Sequence, residues 1–481
     1  MPGSENQVYY INFQLVFVAK IAYNEHIKPK EDPMTYSDFY KLYYEPYAND
    51  EALQARIADG IEQNRKGDCR VRVTDAAGNP IANTRVEVKQ TAHEFRYGAN
   101  IFMLDEFEED ALNARYRDTF HQYFNLATVP FYWNTLEPQR GKPRYAGNSE
   151  KIYRRPAPDL CVEYCREKGI DAKLHCLVYE AYVPEWVKKM TLGEVKAAYE
   201  KRFAEIAARY ADQMYEVEVI NEVLCIQSWA GRTSALAHAP ELIPWSWELA
   251  RKYFPNNTLV FNETTRWHRF AQYGVTDRYP LLLENALLKG ATIDKIGIQA
   301  HLFVGYKAQT PEQYEASARE RWDRGDVRSM LHALDIMGQF NRPLEITEIT
   351  IPTFGEGEEF EQLQADMLKL WYSAYFSHPL MNTVVYWNTA DGHGFSAGAE
   401  YDENRCRGGL FHKDMTPKKS ALMLKHLFDK EWRTELTAQT DENGYIDFRG
   451  FFGDYTLQAA GMSATLRLEK GKDTAFTVKL G

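Results

Sequence analysis

The chain has 481 residues, 44% of them hydrophobic and 26% charged, the proportions of a folded globular protein, which excludes collagen-like, coiled-coil and wholly disordered chains. Against 57 Lys and Arg stand 68 Asp and Glu, a net charge of −11 that makes nucleic acid and anionic membranes poor partners. Aromatic residues reach 14%, which fits either a large aromatic core or a platform for flat, uncharged ligands such as sugar rings.

Residues 1–50 read as irregular, aromatic-rich sequence broken by Pro29, Pro33 and Pro46. The apolar run at 11–22 is interrupted by Asn12, Gln14 and Lys20, too short to span a membrane. It has no basic leader and no clear small-residue cleavage site, so no signal peptide is read and no compartment is assigned. Leu53, Ile57 and Ile61 then recur every four residues, predicting a helix over 51–66. Two period-two runs follow at 69–74 and 84–89, separated by a turn cluster at 75–80. After Trp432 short alternating runs return, at 434–438, 444–448, 454–459, 464–468 and 474–479. Neither group has enough strands to stand alone. Segments 51–93 and 432–481 are therefore expected to build one small antiparallel β-sandwich, with two independent patches as the alternative.

Over 94–431, eight short apolar runs alternate with helical patterns such as 192–210 and 358–376. The runs fall at 97–102, 126–129, 172–178, 215–220, 258–261, 295–299, 344–347 and 383–387. Eight such units predict an α/β fold, a closed (β/α)8 TIM barrel, with its chemistry at the C-terminal strand ends. The fourth run ends Val219-Ile220-Asn221-Glu222 and the seventh Ile346-Thr347-Glu348. Two glutamates facing each other across one barrel mouth suit glycosidic bond cleavage, one as proton donor and one as nucleophile; ordinary rim salt bridges are the bland reading. The sixth run ends Gln299-Ala300-His301 and the eighth Tyr386-Trp387-Asn388. Six cysteines without a CxxC pair and histidines without HxH or HExxH spacing give no expectation of a disulfide framework or a metal. No Gly-rich loop opens a helix after a strand, so no nucleotide cofactor is expected either.

Taken together these segments resemble glycoside hydrolase family 10, whose usual members are endo-β-1,4-xylanases. The resemblance rests on Trp133 with Glu137-Pro138 and Gly141, on His175, Leu177-Val178 and Pro184-Glu185-Trp186, and on Val219-Ile220-Asn221-Glu222. It continues with Ile296-Gly297-Ile298-Gln299-Ala300-His301, Ile346-Thr347-Glu348 and Gly409-Leu410-Phe411, in the family's order. It implies a retaining hydrolase with a carbohydrate substrate and no cofactor, with Glu222 as acid/base and Glu348 as nucleophile. Asn221 would bond the sugar 2-hydroxyl, His301 would support Glu348, and Trp387 would line subsite −1. Tyr132, His175, Glu180 and Gln299 fall on the segments that line substrate. The nucleophile should have the lower pKa and the acid the higher, about 5–5.5 Å apart.

The sugar-holding positions depart from that pattern. The family's Lys before the second-strand Trp is Tyr132 here, and its Asn three residues earlier is Val129. Its third-strand His falls in the pair Tyr179-Glu180, a nearby Gln position is Tyr182, and residues 391–408 offer Phe395, Tyr401 and Arg405 but no Trp. These changes imply a plant- or algal-type polysaccharide other than plain xylan, with Glu180 facing the −1 sugar and repelling uronic acids there. A true endo-β-1,4-xylanase, or a non-catalytic carbohydrate-binding protein on a degenerate barrel, are the competing readings.

Overall fold

The computed structural model describes residues 33–229, 231–472 and 474–480; the run at 11–22 lies outside them. Two strands, β1 (Lys66–Thr74) and β2 (Arg85–His93), precede the barrel. The barrel strands are β3 (Arg96–Asn100), β4 (Leu126–Pro130), β5 (Asp171–His175) and β6 (Glu216–Asn221), followed by β7 (Thr258–Thr264), β8 (Lys295–His301), β9 (Leu344–Thr350) and β10 (Met381–Tyr386). They close in the order β10-β3-β4-β5-β6-β7-β8-β9, so the eight apolar runs are the eight staves. Every residue of β4, β6 and β9 is buried, as it must be in a parallel sheet whose outer face is covered by helices.

The covering helices begin and end on local signals. Thr191 and Glu194 form a capping box at the start of Leu192–Tyr210, and Gly169 ends Pro158–Lys168 in the left-handed conformation. Gly297 in β8 is needed for a different reason. A Cβ there would stand 2.6 Å from the Thr347 methyl, and Thr347 must come that close because its hydroxyl donates to Asn262 Oδ1 at 2.6 Å.

The N-terminal end of the bore holds a buried ion cluster. Lys173 Nζ sits 2.7 Å from Glu218 Oε1 and 3.7 Å from Glu216 Oε1, and contacts Glu345. Lys295 pairs with Glu216 and lies 3.6 Å from Glu345 Oε2. Burial, then the charge of Glu216, push the Glu345 carboxyl up to about 8. Glu216 Oε1 and Glu345 Oε2 have no donor of their own among the described residues, and one proton shared by the two side chains satisfies both.

The two chain ends interleave beside the barrel. The last strands are β11 (Glu435–Gln439), β12 (Tyr445–Phe451), β13 (Gly453–Ala459), β14 (Met462–Leu468) and β15 (Ala475–Lys479). One sheet runs β12-β1-β15 and the other β11-β2-β13-β14, so each N-terminal strand is central, flanked by C-terminal strands. Val71, Val73, Val86, Val88, Ile446, Tyr455, Leu457 and Leu468 pack between them. The sandwich is not purely antiparallel: β15 runs parallel to β1, because it returns from β14 in the opposite sheet by a crossover rather than a hairpin.

The irregular reading of residues 1–50 fails at its described end, where Tyr36–Tyr43 and Glu45–Ala48 are helical. Thr35 and Asp38 cap the first, and Pro46 sits in the first turn of the second, where its missing N–H costs nothing. Phe39 and Tyr43 pack tilted against the Phe354 ring. The next helix, Glu51–Arg65, is anchored by its last residue, whose guanidinium donates to the carbonyls of Phe376, His378 and Met381.

Candidate active site

β6, β8 and β9 bring their C-terminal side chains to one place. Gln299 Nε2 donates to Glu222 Oε1 at 2.9 Å, to Glu348 Oε1 at 3.1 Å and to Asn221 Oδ1 at 3.3 Å. A single nitrogen at those distances cannot leave the two carboxylate oxygens further apart than the two bonds laid end to end. That range includes the ~5–5.5 Å of a retaining pair. Glu222 has φ +55°, a left-handed conformation that a non-glycine residue adopts only under local constraint. Its amide is held by the Asn262 carbonyl at 3.1 Å.

Glu348 is enclosed by donors. Asn262 Nδ2 reaches Oε1 at 3.0 Å, and His301 Nε2 lies 3.0 Å from Oε2 while its Nδ1 meets Thr350 Oγ1 at 3.0 Å. Burial holds His301 down at about 4, so at neutral pH it is an uncharged imidazole that donates one N–H. Burial raises the Glu348 pKa well above the carboxylate range; Glu222 and Glu218 add to it, whereas His175 and the Asn262 bond act the other way. Burial thus opposes the low pKa expected of the nucleophile, and two close carboxyl groups in such a setting resist carrying two charges, so the pair holds one proton between them.

Glu180 is corrected outright. It is 2% exposed, and its oxygens accept from the Tyr199 hydroxyl at 2.9 Å and the Ser234 amide at 2.8 Å, so it faces the surrounding helix and not the mouth. The residue beside Glu222 is Tyr179, whose hydroxyl donates to Oε2 at 2.7 Å. Tyr179 is extended and leads into the 3-10 turn Glu180–Tyr182, so consecutive side chains leave on opposite sides. Burial, then Glu222, raise the Tyr179 pKa, which keeps it a donor.

Tyr132, His175 and Trp387 form a wall. Tyr132 Oη and His175 Nε2 are 2.9 Å apart, His175 Nδ1 and Glu218 Oε2 are 2.5 Å apart, and Trp387 lies edge-on to His175 at 5.2 Å. Although burial pushes it up, Lys173 and His175 hold Glu218 down at about 2. Glu218 thus ties the ion cluster to the mouth, and Asn262 Nδ2, at 3.2 Å from Glu218 and 3.0 Å from Glu348, completes the link. Sequence reading missed Glu218 and Asn262. The alternation Glu216-Val-Glu218 in a strand buried on both faces was the available signal. The Trp133–Gly141 stretch folds on itself: Trp133 Nε1 and the Gly141 amide both donate to the Glu137 carboxylate, and Trp186 Nε1 to its carbonyl.

A (β/α)8 barrel with two carboxyl groups drawn together at its C-terminal mouth defines a class, the arrangement on which glycosidic bonds are cleaved. The sequence profile of glycosyl hydrolase family 10 matches residues 91–425, and the chain belongs to that family. It is 24% identical over 429 residues to anti-sigma-I factor RsgI6 of Acetivibrio thermocellus, covering 87% of this chain and 48% of that protein. It is 24% identical over 400 residues to endo-1,4-beta-xylanase 2 of Arabidopsis thaliana, covering 82% and 32%. The chain thus spans half or less of these relatives' length. Among solved structures, xylanase 10B of Thermotoga maritima superposes with a TM-score of 0.52 at 18% identity, covering 70% of this chain and 96% of that one. A GH10 endoxylanase from a sugarcane soil metagenome gives 0.54 at 18% identity, covering 69% and 97%.

Proposed function

We propose that the chain is a retaining β-glycoside hydrolase in which Glu348 is the nucleophile and Glu222 the acid/base. The observation that carries this is the Gln299 amide shared between the two carboxyl groups. In the first step the Glu348 carboxylate bonds to the anomeric carbon while the proton on Glu222 passes to the departing glycosidic oxygen. In the second, Glu222 takes a proton from water, the water oxygen bonds to the anomeric carbon, and Glu348 leaves. His301, Asn262 and Gln299 hold Glu348 in line for attack, and Tyr179 fixes Glu222. Asn221 serves the sugar 2-hydroxyl, and Trp387 with Tyr132 packs against the ring.

The relatives named as endo-1,4-beta-xylanases support a β-linked polysaccharide as substrate. A glycone other than plain xylose is favoured by two positions: Val129 is buried in β4 with no polar group to offer, and the Tyr132 hydroxyl is taken up by His175. Sites that hydrogen-bond sugar hydroxyls discriminate strongly, and apolar ones do not. The test is a screen of aryl β-glycosides and of plant and algal polysaccharides, with Glu348→Ala as control and NMR of the first-formed anomer. An inverted first product, or turnover that survives Glu348→Ala, refutes the assignment. Binding without turnover would return the chain to the carbohydrate-binding class.

A further inference from the structure

Three buried arginines of the barrel region are fully employed. Arg65 donates to three carbonyls, Arg144 to those of Thr135, Glu150 and Arg155, and Arg202 to those of Phe131, Cys176 and Leu177. Arg154 and Arg155, in the loop between β4 and the helix Pro158–Lys168, are different. They are 6% and 9% exposed, yet neither makes an ion pair among the described residues, and neither Nε has a hydrogen-bond partner. Among the described residues Arg154 hydrogen-bonds only to the neutral Asn388 Oδ1 at 3.4 Å, and Arg155 only to the carbonyl of Arg154 at 2.8 Å. Arg154 is also held at φ +61°.

Their guanidinium groups lie against the aromatic wall of the site. Arg155 stands 4.1 Å over the Tyr132 ring and 5.3 Å from Phe102, and Arg154 stands 5.8 Å from Phe102. Phe102 packs edge-on to Trp387 at 5.2 Å. Two carboxyl groups face the pair. Glu403 is engaged by Asn388 Nδ2 at 2.8 Å, the Phe395 amide at 3.3 Å and the Tyr401 hydroxyl at 3.3 Å. Glu106 is pushed by burial up to about 7, so it is a poor permanent counter-charge. Two like charges side by side in a buried wall are costly unless something anionic joins them. Burial, then the neighbouring Arg155 charge, lower the Arg154 pKa, with Glu403 acting the other way.

We infer that Arg154 and Arg155 form the receptor for an anionic substituent, a carboxylate or a sulfate ester, on the sugar bound against Tyr132, Phe102 and Trp387. This rests on the glycosidase reading and sharpens its substrate class. Arginine presents a planar fork that matches either oxyanion. The chain's net charge of −11 opposes a polyanion drawn in by long-range attraction, so the fitting substrate is a β-linked glycan with sparse acidic units. Glu180, which would have repelled such a unit, is turned away and used elsewhere.

The experiment titrates sugars calorimetrically into the full-length Glu348→Gln protein, where nothing is turned over. The carboxylate arm compares xylotriose with glucuronosyl-xylotriose. The sulfate arm compares a sulfated β-linked galacto-oligosaccharide with its desulfated form. One charged sugar should bind at least about tenfold more tightly than its neutral partner, the worth of one charge-assisted bond, and the arm in which this happens identifies the substituent. Adding Arg155→Met should erase that preference without lowering the unfolding midpoint, since no ion pair among the described residues is broken. Equal affinities in both arms, or a preference that survives both Arg154→Met and Arg155→Met, overturns the inference. If Arg155→Met does not fold, Arg155→Lys decides. It keeps the charge and loses the fork, so it should weaken the charged sugar more than the neutral one, and equal weakening overturns the inference. Turnover of an aryl β-glycoside by the parent, measured alongside, reports on the glycosidase reading alone.

Discussion

The two ends of the barrel bore treat buried charge in opposite ways. At the N-terminal end, Lys173 and Lys295 meet Glu216, Glu218 and Glu345, and the protein itself supplies every counter-charge. At the C-terminal mouth, Glu222 and Glu348 are held by neutral amides, a phenol and an imidazole, and Arg154 and Arg155 by an amide and a carbonyl. The difference separates charges that hold the fold from charges reserved for a ligand. A matched buried cluster is destabilising to break, whereas an unmatched one gains only when something binds. Glu218 belongs to both ends, with one oxygen on Lys173 and the other on His175.

The largest expected effect breaks the mouth and leaves the other end alone. Glu348→Ala should cost more activity on aryl β-glycosides than Glu222→Ala. For the latter we expect the ~10²–10⁴-fold of a lost general acid, shrinking as the leaving group improves. Steady-state rates across a series of aryl leaving groups check both, with the unfolding midpoint of each variant as the fold control. Next comes the converse. Lys173→Met strands buried carboxylates and should destabilise by about 3–5 kcal/mol in urea titration, in contrast to Arg155→Met at the mouth.

A smaller effect is expected of Tyr179→Phe, which removes one bond to Glu222. A bond to a charged group is worth about 1.5–3 kcal/mol, so kcat/KM should fall roughly 10- to 100-fold with stability little changed. The smallest is a pH effect. Glu345 carries a raised folded pKa of about 8, so its contribution is complete below its unfolded value near 4.5 and is lost as pH rises through about 8. Glu345→Gln imitates the protonated form. The variant's unfolding midpoint should therefore gain on the parent's as pH rises across that window; a gap independent of pH would show that no proton is held there.

Much of this was legible in sequence wherever burial imposed a pattern. Eight runs were readable because strands buried on both faces are mostly apolar; Asn221, Glu222, His301 and Glu348 stand just past those runs, and Gln299 ends one. What escaped had no periodicity to betray it. Tyr179 and Glu180 are adjacent polar residues, and only the backbone turn after β5 decides which one reaches the site. Asn262 lies inside a strand where a buried amide breaks the pattern without announcing a partner. Arg154 and Arg155 sit in a loop, where sequence gives composition but not depth. The helices over 36–48 were hidden by prolines, of which Pro46 merely starts a helix.

The interleaved sheets have a consequence for the order in which the molecule can form. β1 and β2 are made before the barrel, but their hydrogen-bonding neighbours β11, β12, β13 and β15 are made only after it. Until then two alternating strands wait with unpaired edges, exposed to other chains that present the same edges. Folding of the sandwich is thus a late, long-range closure across the whole barrel, slow for the reason that all distant pairings are slow. The strands before the barrel depend on strands after it for a partner, and a synthesis interrupted near Trp432 would release a barrel trailing two open edges.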